Sequence, residues 1–191
     1  NFSQELTTSP NSGLNRVFLD AYRIDPTQVA IHSDGSWGDG WSGQNPIAHA
    51  NAGGLNRNQN NYFRGLMRVD YSPIPNLKVS LTYSPEYRDV YDRNFNKMYT
   101  TILDWDSKST RNVPDRNSLS NANTRIFEDN LIGLITYSKA IENHQFTLLG
   151  GYEMIKNNWT QFGASRTDFI IDRFEQLDAG AETNMRNNGS A

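Results

Sequence analysis

The sequence predicts an all-β fold of antiparallel, up-and-down strands, on the basis of three observations. Two stretches, residues 61–97 and 126–163, alternate apolar and polar side chains with the period of two that is typical of a β-strand. A short break rich in turn-forming residues divides each stretch, which indicates two hairpins. The connections outside these hairpins are long and polar, whereas both breaks are short.

Composition excludes several classes of protein. The chain has 191 residues, a net charge of −3 and no long basic run, so nucleic acid is not an expected partner. No apolar run approaches the roughly 18–20 residues that a membrane helix needs. The absence of cysteine excludes disulfides and thiolate metal sites. Because the chain starts at Asn1 and ends in a polar tail, we expect it to be a piece of a longer protein.

Residues 1–60 are predicted to form one long loop that contains a short helix. Apolar side chains recur there with helical spacing at Leu14, Val17, Phe18, Ala21 and Tyr22. We expect Ser12 or Asn11 near the helix cap, and Pro26 after its end. Residues 32–57 are rich in Gly, Asn, Ser and Trp, a composition typical of a loop.

The first hairpin has one apolar and one charged face. The apolar face holds Phe63, Met67, Val69 and Tyr71, then Leu77, Val79, Leu81 and Tyr83 after a break at residues 72–76. The opposite face holds Arg64, Arg68, Asp70, Lys78 and Glu86. Each strand reaches the roughly 9–11 residues with which a tilted strand crosses a bilayer. The pattern fits a transmembrane barrel with a wet lumen, and it also fits a soluble sheet with one wet face.

The remaining segments favour the barrel. Residues 98–125 and 164–191 are predicted to be loops, the second with a short helix around residues 169–177. Strands of the second hairpin flank a turn near Glu142. In an up-and-down sheet alternate connections lie at opposite ends, so every short turn would lie at one end and every long loop at the other. Outer-membrane barrels show this asymmetry, with short periplasmic turns and long extracellular loops.

Several short motifs add a family resemblance. One series of motifs resembles the SusC-like branch of TonB-dependent outer-membrane transporters. It consists of Asn45-Pro46-Ile47-Ala48, then Tyr62-Phe63-Arg64-Gly65 before an alternating strand, a Pro/Asn turn and Leu77-Lys78-Val79. Residues 130–153 are similar to another hairpin of that family, although Ile141-Glu142-Asn143 stands where the family often has Phe-Gly before the histidine. The resemblance covers roughly residues 45–160.

The resemblance implies a partner set and a location. This chain would supply about four strands of a barrel of about 22 strands in the bacterial outer membrane. Such transporters import glycans or peptides together with a SusD-like surface lipoprotein, using energy from the TonB complex. The plug and the TonB-contacting segment would lie outside this chain. The polar face, with Arg64, Arg68, Asp70, Lys78 and Glu86, would line the lumen.

Aromatic and acidic side chains in the polar loops are the candidate binding residues. Trp37, Trp41 and Trp105 are predicted to stack on a substrate or to meet the lipoprotein, and Asp34 and Asp39 to bond hydroxyl groups. The alternative is that these indoles only stabilise their loops.

Other motifs are weak. Residues 38–43 match G-x-G-x-x-G, but no strand–turn–helix context surrounds them. Asp34, Asp39, Asp104 and Asp106 lack the spacing of a calcium loop. The three histidines have no metal-ligand spacing, and no nucleophile stands beside a base. We therefore expect no catalytic residue, metal or cofactor, and keep a soluble β-sheet glycan-binding module as the alternative to a transporter.

Overall fold

The computed structural model describes residues 1–171 and 173–190. These residues contain ten strands and two helices. The strands form an antiparallel sheet of seven and a smaller sheet of three. The predicted all-β antiparallel class is therefore confirmed. Among the described residues the large sheet is open, with β1 and β4 at one edge and β10 at the other.

The elements follow one another in a simple order. The strands are β1 (Phe2–Pro10), β2 (Trp37–Gly38), β3 (Leu55–Arg64), β4 (Met67–Ile74), β5 (Leu77–Asn96), β6 (Tyr99–Asp104), β7 (Ser109–Val113), β8 (Ser118–Ile141), β9 (His144–Thr167) and β10 (Arg186–Ser190). The helices are α1 (Leu14–Arg23) and α2 (Pro46–Ala52), and 3-10 turns lie at Leu177–Ala179 and Glu182–Asn184. The large sheet has the order β1-β3-β5-β8-β9-β10, with β4 also paired to β5.

Both hairpins are present, and their turns lie at the same end of the sheet. β4 and β5 meet at the pair Ile74↔Leu77, and β8 and β9 meet at Ile141↔His144. Asn76 accepts a hydrogen bond from the Ser138 amide at 2.8 Å, which joins the two turn regions. Asn76 has a φ of 77°, in the left-handed region that asparagine tolerates better than most residues.

Alternation places the apolar side chains of four neighbouring strands on one face. This apolar band comprises Met67, Val69 and Tyr71 of β4, Leu77, Val79, Leu81 and Tyr83 of β5, Leu131, Ile135 and Tyr137 of β8, and Leu148, Tyr152 and Met154 of β9. A row of aromatic side chains borders the band away from the hairpin turns. This aromatic row is Phe2↔Phe63↔Tyr87↔Phe127, one residue from each of β1, β3, β5 and β8.

Three segments that were predicted as loops contain strands. Residues 1–60 hold β1, β2 and most of β3 as well as a second helix, α2. Residues 98–125 hold β6, β7 and the start of β8, and residues 164–191 hold β10. In place of the short helix predicted at 169–177 there are 3-10 turns further along, and residue 172 of that prediction lies outside the described residues. These strands were not predicted because their few apolar residues do not alternate regularly with polar ones, as in β1 and β6.

The predicted helix forms but presents its apolar side outward. α1 spans Leu14–Arg23, with Gly13 rather than Ser12 or Asn11 at its cap and no side-chain capping bond. Phe18 and Tyr22 are exposed, whereas the polar Asp20 is buried. The first predicted strand is also interrupted, at Gly65 and Leu66 between β3 and β4.

The buried core is small and lies beyond the aromatic row, on the same face as the apolar band. Phe95 and Leu119 are opposite one another on β5 and β8, and Phe169 packs edge-on against Phe95. The Asn117 side chain holds Phe169 in place: its Oδ1 accepts a hydrogen bond from the Phe169 amide at 2.7 Å, and its Nδ2 donates to the Phe169 carbonyl at 2.8 Å. No helix among the described residues has the length and hydrophobicity to span a membrane.

Candidate functional site

The long connections, at the end of the sheet opposite the hairpin turns, fold into a small module around Asn45. This side chain is fully buried and caps α2 by accepting hydrogen bonds from the Ile47 and Ala48 amides at 3.0 and 3.2 Å. Its amide nitrogen donates to the Ala30 and Gly38 carbonyls at 2.6 and 2.8 Å. Asn45 therefore starts the helix and fixes the preceding loop, and Pro46 suits the first helical position because it lacks an N–H.

Asp39 serves this module as a structural tie. Thr101 of β6 donates a hydrogen bond to one carboxylate oxygen at 2.8 Å, and Arg111 of β7 contacts the other at 3.1 Å. The Gly43 amide donates to the same oxygen as Arg111 at 3.1 Å. Because both oxygens are engaged by the protein, Asp39 is poorly placed to bind a ligand hydroxyl.

The first two tryptophans have different environments. Trp37 is half-buried in β2, where it pairs with Thr101 in a parallel arrangement. Trp41 is 64% exposed on the turn that follows and bridges to Gln44. Of the two indoles, only Trp41 offers most of its surface to a ligand.

Trp105 and Asp34 belong to one surface group. The Trp105 ring stacks on His32 with centroids 4.4 Å apart, and Lys108 Nζ lies 3.0 Å from the centre of the Trp105 ring. Asp34 accepts hydrogen bonds from the Ser36 hydroxyl and amide, at 2.6 and 2.9 Å. These bonds, the hydroxyl first, hold the pKa of Asp34 below its usual range, with help from the Lys108 and His32 charges. Since His32 and Lys108 already contact the Trp105 ring, a ligand would have to displace one of them to stack on it.

The acidic side chains of the β6–β7 turn cap their own backbone. Asp104 accepts hydrogen bonds from the Ser107 hydroxyl at 2.6 Å and the Asp106 amide at 3.2 Å. The Ser107 hydroxyl is the main cause that lowers the pKa of Asp104. Among residues 1–171 and 173–190, no cluster of three or more acidic or histidine side chains could hold a metal ion.

A buried polar contact connects α1 to this module. His49 of α2 lies between Asp20 of α1 and Tyr99 of β6, whose ring meets the imidazole edge-on. The Tyr99 hydroxyl is buried without a hydrogen-bond partner among the described residues. Burial, followed by the charges of Asp20 and Asp39, raises the pKa of Tyr99.

The charged residues predicted on the polar side of the first hairpin do share one face. Arg64 is opposite Glu86, Arg68 is opposite Thr82, and Asp70 is opposite Ser80. They form ion pairs on this face: Arg64–Glu86 at 2.6 Å, Arg68–Asp70 at 3.1 Å and Lys78–Asp70 at 3.6 Å. On β4 and β5 this polar face is chemically distinct from the apolar band on the other side, whereas on β8 and β9 it also carries Leu134, Leu149 and Ile155.

A wall of hydrogen-bonding side chains, mostly asparagines, extends this polar face beyond the aromatic row, and sequence reasoning missed it. This amide wall comprises Asn56, Asn58 and Asn60 of β3, Asp92 and Asn94 of β5, and Ser120 of β8. Asn58 donates to Asp92 at 2.5 Å, whereas the side-chain oxygens of Asn56 and Asn60 are buried without partners among the described residues. The signal was present in the sequence, because asparagine recurs at every second position from 56 to 60.

The structure therefore places the predicted binding residues in different environments. Trp105 and Asp34 lie in one group with His32 and Lys108, Asp39 ties the module internally, and Trp41 is free on the surface. Comparison of the sequence with models of known families and with curated proteins gave no match.

Proposed function

We propose that this chain forms part of the wall of a SusC-like, TonB-dependent outer-membrane transporter that imports glycans or peptides. The transporter would work with a SusD-like surface lipoprotein. The observation that supports this proposal is the apolar band, a continuous exposed hydrophobic surface on one face of a sheet whose other face carries ion pairs.

The exposure of the band is difficult to reconcile with water. Seven of its side chains are between 48% and 73% exposed: Leu81, Ile135, Met67, Val69, Tyr71, Tyr152 and Leu148. They lie next to one another on four strands rather than scattered. The largest apolar patch on a soluble monomer usually covers roughly 300–600 Å² and is often itself an interaction site. Lipid is the partner that such a broad apolar face fits best.

The dimensions of the band also suit a membrane. Along β5, the apolar side runs from Leu77 at the turn to Tyr87 in the aromatic row. Ten residue steps of about 3.3 Å give roughly 33 Å along the strand. At a tilt of about 40°, this spans about 25 Å of membrane thickness, the height of the apolar belt of outer-membrane barrels. Aromatic residues border that belt in barrels, as the aromatic row borders this band.

The free edges of the sheet support closure by further strands. Among the described residues, the outer edge of β4 is unpaired, and β9 pairs with β10 only between Gln161 and Ser165. Unpaired backbone groups in lipid each cost several kcal/mol, so a sheet in a membrane needs neighbours on both sides. A closed barrel supplies them.

The polar face suits passage of a hydrophilic substrate. Nearest the turns it carries paired charges, and further out it presents the amide wall. Side-chain amides and hydroxyls both donate and accept hydrogen bonds, and sugar hydroxyls and peptide groups require such partners. The exposed Trp41 lies in the module at this outer end.

One observation favours the alternative, a soluble β-sheet glycan-binding module. Asp129 and Lys156 are opposite one another on the same face as the apolar band, and Asp129 accepts a hydrogen bond from the Tyr83 hydroxyl. Two charged side chains there suit water better than lipid. They stand one pair below the aromatic row, near the rim of the band, where charges cost less than at the bilayer centre.

Fractionation of the parent protein tests the proposal. We expect it to sediment with outer membranes, to need detergent for extraction and to change mobility on a gel when it is heated. Deletion of the gene should abolish growth on one glycan or peptide source, and the partner lipoprotein should be recovered with the tagged transporter. A parent protein that stays soluble in buffer without detergent would contradict the proposal and favour the glycan-binding module.

A further inference from the structure

A cleft lined by arginines lies beyond the aromatic row, on the same face as the apolar band. This arginine cleft has a volume of about 430 Å³ and is lined by Arg57, Arg93, Arg173, Phe174, Glu175 and Gln176. Arg57 and Arg93 are direct neighbours on β3 and β5. The other four residues belong to the connection between β9 and β10, which crosses over the sheet at this point.

Positive charge is in excess in the cleft. Among the described residues that line the cleft, three guanidinium groups meet a single carboxylate, an excess of two positive charges. Glu175 contacts Arg57 at 3.0 Å and Arg93 at 3.5 Å, so its carboxylate is shared between them. Arg173 is exposed at the rim. Like charges held this close repel one another, and a bound anion relieves that repulsion.

A donor in the cleft is also left without an acceptor. Nε of Arg93 is buried and has no hydrogen-bond partner among the described residues, although Nη2 of the same guanidinium donates to the Glu175 carbonyl. A buried donor without a partner costs free energy, more so when it is charged. An oxyanion with several oxygens can meet Arg57, Arg93 and Arg173 together, in the paired geometry that arginine forms with phosphate or carboxylate.

The rim adds an apolar surface. Phe174 is 55% exposed beside the charged groups, and an exposed aromatic ring next to anion-binding donors fits a sugar ring that carries an acidic substituent. We propose that the arginine cleft binds a phosphorylated or carboxylated saccharide.

The position of the cleft bears on where this ligand comes from, a point that rests on the proposed function. Arg93 is six residues beyond Tyr87 on β5, about 20 Å along the strand, and its side chain lies on the same face as the apolar band. If that band contacts lipid, the cleft faces the outside of the barrel above the membrane. The acidic saccharide then belongs to a glycolipid of the outer leaflet, whereas a free acidic sugar reaches the same groups from solution.

Binding to the purified parent protein tests the proposal. The probes are glucose 6-phosphate, neutral glucose, and lipopolysaccharide in detergent micelles. For the double variant Arg57→Gln/Arg173→Gln we expect at least tenfold weaker binding of the acidic probe, with no change for Arg23→Gln, an exposed arginine of α1. Glu175→Gln removes the competing carboxylate and should bind the acidic probe several-fold more tightly, a gain that misfolding cannot produce.

Each outcome decides a point. If the double variant binds glucose 6-phosphate more weakly, the ligand is a free acidic sugar. If the double variant loses binding of lipopolysaccharide alone, the ligand is a glycolipid. Unchanged binding of both acidic probes, or equal binding of glucose and glucose 6-phosphate, overturns the cleft as an anion site. If the double variant fails to fold, Glu175→Gln decides, since unchanged or weaker binding by it also overturns the proposal. A parent protein that binds the acidic probes as expected but is soluble without detergent would contradict the proposed transporter and leave the anion site in the cleft standing.

Discussion

Asp20 of α1 and His49 of α2 are joined by a buried hydrogen bond, with Oδ2 of Asp20 2.9 Å from Nδ1 of His49. Arg16, one turn earlier on α1, donates through Nε to the same oxygen at 3.1 Å, and its Nε lies 3.0 Å from the other oxygen. These contacts hold the polar side of α1 against the module and turn Phe18 and Tyr22 outward. The orientation of this helix is thus determined by one buried carboxylate rather than by its apolar stripe.

Replacement of Asp20 should release α1. Asp20→Ala removes the acceptor of both His49 and Arg16, and loss of a hydrogen-bond partner from a buried polar contact typically costs about 1–3 kcal/mol. We expect faster hydrogen exchange across residues 14–23 and little change in the large sheet. Asn15→Ala, at an exposed position of the same helix, is the control. Equal exchange in both variants would show that Asp20 does not anchor the helix.

Asn45→Ala should loosen the module around α2. The variant loses the helix cap and the donor to the Gly38 carbonyl, whereas the Ala30 carbonyl still accepts from the Gly38 amide, a total cost of about 2 kcal/mol. Asn51→Ala is the matched control, because Asn51 is exposed and bonds only to the Ile47 carbonyl of its own helix. Limited proteolysis within residues 26–44 measures the difference. Cleavage at the same rate in both variants would contradict this role of Asn45.

Trp41→Ala and Trp37→Ala should separate binding from structure. Trp41 is exposed, so its loss should leave the assembled protein intact and reduce substrate uptake or recovery of the lipoprotein. Trp37 is half-buried in β2, so its loss should also increase proteolysis of the module. Growth on the nutrient, partner recovery and gel mobility after heating measure the three effects. Normal growth and normal complex with Trp41→Ala would mean that this indole does not contact substrate or partner.

The parts of the fold that alternate were predictable from the sequence. On β5, the apolar Leu77, Val79 and Leu81 alternate with the polar Lys78 and Ser80. This alternation exists because the two faces of the sheet lie in different surroundings. Beyond Tyr87 each face of β5 mixes polar and apolar side chains, and the alternation disappears although the strand continues to Asn96. Strands β1, β6 and β10 also lack a regular alternation, which is why their sequences resemble loops.

The candidate site was less predictable, because its roles depend on contacts between distant residues. Asp39 and Asp34 are both aspartates in one Gly-rich loop, yet Arg111 and Thr101, more than sixty residues away in the chain, bind only Asp39. Arg57 and Arg93 become neighbours only when β3 pairs with β5. In the same way, no local pattern indicates that Glu175 would reach them.

An arginine should be tolerated on the polar face and not on the apolar band. Leu81→Arg places a charge on the proposed lipid face, where it costs about 2–4 kcal/mol near the bilayer centre. Ser84→Arg lies on the polar face of the same strand, between Asn130 and Glu86, and should cost much less. Denaturant titration of the parent protein, folded in lipid vesicles, compares the two variants. Equal destabilisation would count against a membrane-spanning band.

The most direct test of the proposed membrane location is the chemical environment of successive positions along β5. Because this chain contains no cysteine, single cysteines are introduced at each position from 77 to 87 in a parent protein whose remaining cysteines, where present, are replaced by serine. In outer membranes of cells that produce the parent protein, we expect cysteines at 79, 81 and 83 to react with a lipid-soluble maleimide and to resist a charged one. Cysteines at 80, 82 and 84 should react with the charged reagent once the lumen is accessible. Reaction of both sets with the charged reagent would place the apolar band in water and contradict the proposed transporter.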